Sequence, residues 1–176
     1  FRRVLFRSIL WEQNTAWTRL ATISVIFDLP DTSLVTNHLL KISEDFNSLL
    51  ASYYGDYKAS SFSNLLRGQL VLTVELINEI KLKDEQAAAD TERRLYDNAR
   101  NMAAHLGSFN PYWPLDEWEK MLSGYFALVK TQAVCFLNQK YQEGIELYIE
   151  MEKQAMKMAD TMKTGIVKQF PEKFKV

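Results

Sequence analysis

Three residues place a hydrogen-bonding group inside an otherwise apolar helical stripe. Asn14, Gln69 and Tyr125 each lie four residues after an apolar residue (Leu10, Leu65 and Met121) and three before another (Trp17, Leu72 and Leu128). On a helix those offsets share one face. All three are therefore expected to point into a common interior region and to be buried. A buried polar group without a partner costs about 1–3 kcal/mol. Two arrangements remove that cost. The three bond one another, a backbone carbonyl or trapped water, and so fix helix register. Alternatively they line an interior polar pocket, which would be the place for a small ligand. Asn14, Gln69 and Tyr125 are thus the candidate ligand-binding positions.

Other chemistry-bearing residues do not assemble into a motif. His38 and His105 fall in different helices, with no neighbouring histidine and no Glu-x-x-His spacing. They read as surface or helix-end side chains. Glu75, Glu92, Glu146 and Asp160 are helical carboxylates, but a di-iron bundle site needs Glu-x-x-His pairs. They read as solvated faces. Cys135 sits in the apolar run Ala133-Val134-Cys135-Phe136-Leu137, the setting of a buried, unreactive thiol. No Gly-rich phosphate loop, Gly-x-Ser-x-Gly elbow or oriented Cys/His pair is written in the chain. No catalytic residue, metal ligand or cofactor is expected, and the sequence leans away from an enzyme. Tyr112, Trp113 and Trp118 cluster at a chain junction, as a core plug or the wall of an aromatic slot. Met151, Met156, Met158 and Met162 read as core filler.

The elements that carry these residues are helices, and they recur. Phe62, Leu66, Gly68 and Leu72 return 56 residues later as Trp118, Leu122, Gly124 and Leu128. Leu95, Asn98, Ala99, Met102, Ala103 and Leu106 return as Met151, Gln154, Ala155, Met158, Ala159 and Met162. A fainter copy lies upstream, where Leu39, Phe46 and Leu50 precede Leu95, Met102 and Leu106 by 56. These are one-face helical spacings. They predict an all-α bundle of about six helices built from three tandem hairpins. The hairpins span about 9–55, 57–111 and 114–170, in a single domain over 9–176.

The expected boundaries come from local signals. Helix runs from Ile9 to Phe27 and breaks at Asp28-Leu29-Pro30-Asp31, where Asp31 can cap the next helix. A short helix marked by Leu34 and Ile42 is expected there, then a further turn capped by Ser43. Tyr54-Gly55-Asp56 closes the first hairpin. Asp84 is the expected cap of the second hairpin's return helix, and Gly107 is expected to end that helix in a left-handed conformation. Pro111 and Pro114 exclude continuous helix, and Pro114 suits a first helical position. A turn is expected at Asn138-Gln139-Lys140. Gln169-Phe170-Pro171 ends the last helix, from which Phe170 and Phe174 fold back on the core.

Composition narrows the partners. The 176 residues are 47% hydrophobic and 24% charged, as in a globular domain. Residues 1–8 are set aside, because Val4-Leu5-Phe6-Arg7-Ser8 reads as a translated sequencing-adapter oligonucleotide. Removing Arg2, Arg3 and Arg7 from the 21 basic residues leaves 18 against 22 acidic ones, a net of −4. That balance gives no hold on nucleic acid or an anionic membrane. No run of about 18 apolar residues offers a membrane span. One cysteine precludes an internal disulfide framework and fits a reducing, cytoplasmic compartment.

The stretches LWEQNTAWTR, NPYWPLDEW and EKQAMKMADTMKTGIVKQFP resemble a family of small all-helical bacterial proteins. That family has no established activity and carries conflicting transferred names, some of them enzyme names. The resemblance covers nearly all of the chain after Ser8. It implies histidine in many members at the position of Asn14, and in some at the positions of Gln69 and Tyr125. Three inward imidazoles would suit a metal or haem in such a bundle. This chain has two amides and a phenol there, which are poor ligands for soft or borderline metals. A nucleotide-dependent kinase, one of the transferred names, would need a phosphate-cradling loop that the chain lacks. The expectation is a non-catalytic structural module or one that binds a small ligand or a protein partner. The alternative is a metal- or cofactor-dependent enzyme or carrier with altered histidine ligands, for which Glu12, Glu75 and Tyr125 are the first residues to examine.

Overall fold

The computed structural model describes the backbone of residues 2–174 and the side chains of residues 9–174. Among these residues the chain is all helix and turn, with no strand. Six long helices run in order: α1 (Arg2–Ile26), α2 (Thr32–Tyr54), α3 (Asp56–Leu82), α4 (Glu85–Phe109), α5 (Leu115–Leu137) and α6 (Tyr141–Gln169). A 3₁₀ turn, Pro171–Phe174, closes the described chain. Connections this short force successive helices to run antiparallel. None of the helices is long and apolar enough to cross a membrane.

The helices form a bundle in two tiers. α1, α3 and α5 pack against one another at the centre. α2 lies against α1 and α3, α4 against α3 and α5, and α6 against α5 and α1, which closes the ring. One apolar core runs through all of it, with Trp11, Phe46, Phe62, Trp113 and Trp118 fully enclosed. The inner helices are packed on several sides, so α3 buries a wide stripe that includes Phe62, Leu66, Leu70, Leu76 and Ile80. Phe62 and Trp118, Ala99 and Ala155, and Met102 and Met158 are all buried, like any residues on inward stripes.

Boundary chemistry explains where the helices stop. Asp84 caps α4 by accepting from the Ala87 N–H at 3.0 Å. Gly55 sits at φ 81°, a conformation open to glycine, and is the single residue between the end of α2 and the start of α3. Phe170 packs on Tyr53 and Tyr54, with ring centroids 5.7 and 5.4 Å away. Phe174 stacks on Tyr53 at 6.3 Å. The turn at Asn138-Gln139-Lys140 takes Gln139 to φ 60°.

Several expected boundaries fall differently. α1 extends back to Arg2, through the segment read as adapter sequence. α2 is one helix and not two, because its inward stripe from Val35 to Leu50 is unbroken. Ser43 is buried within it, and its hydroxyl donates to the Leu40 carbonyl at 2.8 Å. The Asp31 side chain caps no N–H of α2; its carboxylate accepts from the Ser24 hydroxyl at 2.9 Å and ties the two helix ends together. Gly107 does not end α4, which runs on to Phe109. Its missing side chain instead admits the Trp113 carbonyl, which would stand 3.3 Å from a Cβ there. Pro114 lies one position ahead of the first helical residue, Leu115.

Candidate functional site

The two-tier packing gathers one polar residue from each inner helix. Asn14 on α1, Gln69 on α3 and Tyr125 on α5 are only 4%, 1% and 3% exposed, so none can use bulk water. All three line one enclosed chamber, together with Trp11, Thr18, Thr73 and apolar side chains that include Leu66, Leu122 and Met158. Its free volume is about 10 Å³. That is room for about one water molecule and for no organic ligand.

The three do not bond one another. Tyr125 donates its hydroxyl to Thr15 Oγ1 at 3.2 Å, and Thr15 donates to the Trp11 carbonyl at 3.1 Å. Burial pushes the phenol up to about 12, against the opposing pull of the Thr15 and Thr18 hydroxyls. The phenol is therefore neutral at ordinary pH. Gln69 Oε1 accepts from Asn98 Nδ2 on α4 at 2.7 Å, and the same Asn98 amide reaches the Leu65 carbonyl at 3.0 Å. Four buried atoms of chamber residues make no hydrogen bond within the protein: Trp11 Nε1, Asn14 Oδ1, Gln69 Nε2 and Thr18 Oγ1, which lies near the Tyr125 phenol without bonding it. Two are N–H donors and two are oxygens that can accept. One water makes up to four hydrogen bonds, two of each kind, so the set matches a water molecule in number and polarity.

Sequence reasoning missed Trp11, Thr15, Thr18 and Asn98 as members of this cluster. Asn98 carried a signal, since its counterpart 56 residues on is also an amide. Gln154 Nε2 donates to the Met121 carbonyl at 2.8 Å, as Asn98 does to Leu65. Thr15 carried none, because a threonine on a helix commonly bonds its own backbone.

The remaining candidates stay dispersed. Trp113 and Trp118 are buried 6.2 Å apart, and Trp118 lies 6.1 Å from Trp11. Tyr112 stands outside, 48% exposed, with the Lys168 ammonium 5.4 Å from its ring. The junction is thus a filled core plug and not an open slot. His38 is exposed against the Trp17 ring. His105 packs edge-on to Phe109, and burial with the nearby Lys58 lowers its pKa. Cys135 is buried, and desolvation beside Glu143 raises its thiol. Glu75 pairs with Arg94 at 3.1 Å and Glu92 with Lys130 at 2.6 Å, while Glu12, Glu146 and Asp160 are exposed. Among the described residues no three His, Cys, Asp or Glu side chains are grouped to hold a metal ion. Met151, Met158 and Met162 are core, whereas Met156 is 37% exposed.

No protein-family model, curated protein or solved structure matches this chain.

Proposed function

We propose that this chain is a non-catalytic helical module that acts by binding, with its interior polar cluster as a structural pin. The observation that carries this reading is the match between the four unpartnered chamber atoms and a single water. Such a water would tie α1 to α3 through Asn14, Thr18, Trp11 and Gln69, and would set the register of the inner helices. The cluster offers no group that changes charge near neutral pH, so acid–base work has no agent there. Amides, hydroxyls, an indole and a neutral phenol are also a weak donor set for iron, zinc or haem. A small ligand or a protein partner would then be held on the outside of the bundle.

An internal repeat of about 56 residues over three tandem hairpins belongs to the same proposal. Its support, for the second and third hairpins, is the pair of equivalent bonds from Asn98 to Leu65 and from Gln154 to Met121. Bacterial origin rests on the resemblance of the three quoted stretches, and a cytoplasmic location on the solitary buried Cys135.

Metal analysis and visible absorbance of untagged protein test the functional reading. The expected result is substoichiometric metal and no absorbance above the aromatic band. Stoichiometric iron, zinc or haem would overturn it in favour of the cofactor-dependent alternative.

A further inference from the structure

Helix α6 packs on α5 and α1 through its buried stripe of Met151, Ala155, Met158 and Met162. Beside that stripe runs a second apolar row, which stays open to solvent. Tyr141, Ile145, Ile149 and Met156 are 49%, 49%, 46% and 37% exposed. Offsets of four, four and seven keep them on one side of the helix. The row continues onto α1. The Phe27 ring stands 6.2 Å from Tyr141, and Leu20 lines an open groove with Tyr148 of α6. Phe27 and Leu20 are exposed as well. These six side chains leave roughly 500 Å² of apolar surface in water, at the upper end for the largest patch of a monomer. A standard interface takes about 800 Å² from each partner, with a core about 65% apolar, so the patch supplies the apolar share of one such interface.

The charges beside the row repeat its symmetry. Counted from Ile149, Tyr141 lies eight before and Met156 seven after, while Glu146 lies three before and Lys153 four after. Glu146 and Lys153 are thus two turns apart and share one flank of the row. A second α6 laid antiparallel across Ile149 sets Tyr141 against Met156 of the second copy, and Glu146 against Lys153 of the second copy. The two-fold axis makes each match twice. Both charges are free to turn outward. Glu146 accepts from Gln142 at 3.1 Å and Lys153 pairs with Glu150 at 2.7 Å, exposed contacts within α6 that are worth little. A flank that carries both signs selects no partner of a single sign, but it does complement itself.

We propose that the chain pairs with a second copy of itself through α6, antiparallel about Ile149, with Leu20 and Phe27 of α1 extending the contact. This inference rests on the reading that the module acts by binding, and it names the partner.

Sedimentation velocity of the purified chain from micromolar to millimolar concentration tests the pairing. The expected result is a concentration-dependent rise to twice the monomer mass. Ile149→Glu sets two carboxylates against each other at the axis and should weaken pairing by about thirtyfold or more, with an unchanged circular dichroism spectrum. Leu82→Lys is the control, since Leu82 is 74% exposed at the far end of α3, and should leave pairing intact. Glu146→Lys and Lys153→Glu should each weaken pairing by about tenfold. An equal mixture of those two variants should pair again, because each then meets the opposite charge. A chain that stays monomeric throughout, a dimer that survives Ile149→Glu, or no recovery in the mixture would overturn the proposal. So would a monomer whose α6 amides shift in NMR on adding a basic amphipathic peptide, which would assign the face to a different protein. Metal content has no bearing on pairing, so failure of self-association and failure of the non-catalytic reading show in different measurements.

Discussion

Gly165 tests the packing at the junction where the inner core meets α6. Trp113 is 1% exposed, and its indole N–H donates to the Thr161 carbonyl at 3.2 Å, one helical turn before Gly165. A Cβ on Gly165 would lie 2.0 Å from Trp113 Nε1 and 2.5 Å from Cδ1. The ring is wedged near Trp118 and Tyr54, with centroids 6.2 and 5.5 Å away, so it has little room to retreat. Overpacking of this kind costs about 1–3 kcal/mol, and a rigid buried ring belongs at the upper end. Loss of the indole hydrogen bond adds about 1 kcal/mol. Replacing a helical glycine by alanine returns about 1 kcal/mol. Gly165→Ala should therefore destabilise the fold by roughly 3 kcal/mol, which for a chain of this size lowers Tm by roughly 6–12 °C. Gly68→Ala is the matched control, since nothing lies within 4 Å of a Cβ there. It should stabilise by up to about 1 kcal/mol. Urea unfolding followed by circular dichroism and tryptophan fluorescence measures both. If Gly165→Ala is as stable as the parent, Trp113 does not pack on α6, and the junction is built differently.

The buried titratable groups carry further expectations. Tyr125 has its folded pKa raised above its unfolded value, so its contribution is complete below pH 10 and is lost as pH rises from about 10 towards 12. Tyr125→Phe should remove that part of the alkaline decline in Tm, at a cost near neutral pH of about 1 kcal/mol for the bond to Thr15. His105 has its pKa lowered by burial and Lys58, so an NMR titration should show a midpoint below the ordinary imidazole value of 6.5. Its neutral form is the one that suits the fold, so its contribution to stability falls as pH drops through that ordinary value. The Cys135 thiol, buried and raised, should react with a disulfide reagent far more slowly in native protein than in urea, followed by thiolate release.

Much of the helical plan was legible because the signals were local. Asp84, Pro111, Pro114 and the Asn138 turn each carry their own backbone chemistry, and the helices break close to them. Asn14, Gln69 and Tyr125 were legible as inward groups because a stripe fixes which face a residue occupies. Their partners were not, since Asn98 and Thr15 reach them from other turns or other helices, and sequence spacing says nothing of that. Ser43 and Gly107 misled for a common reason. Each is a boundary residue by type, but the unbroken apolar stripes of α2 and α4 outweighed that preference. The open row on α6 left little mark. Met156 reads like its core neighbours Met151, Met158 and Met162, and only the placement of α1 and α5 decides which face of α6 stays bare.

The central claim is that α1 and α3 are joined at the core by one water shared among Asn14, Thr18, Trp11 and Gln69. Water-to-protein NOE spectroscopy on labelled protein measures this directly. The claim predicts a long-lived water cross-peak at the Trp11 indole N–H and at the Gln69 side-chain amide. It also predicts that Gln69→Leu loses the cross-peak at Trp11 and destabilises the fold by about 1–3 kcal/mol, because the water's other partners are left unsatisfied. Absence of any such cross-peak in the parent, with both protons protected from exchange, would contradict it.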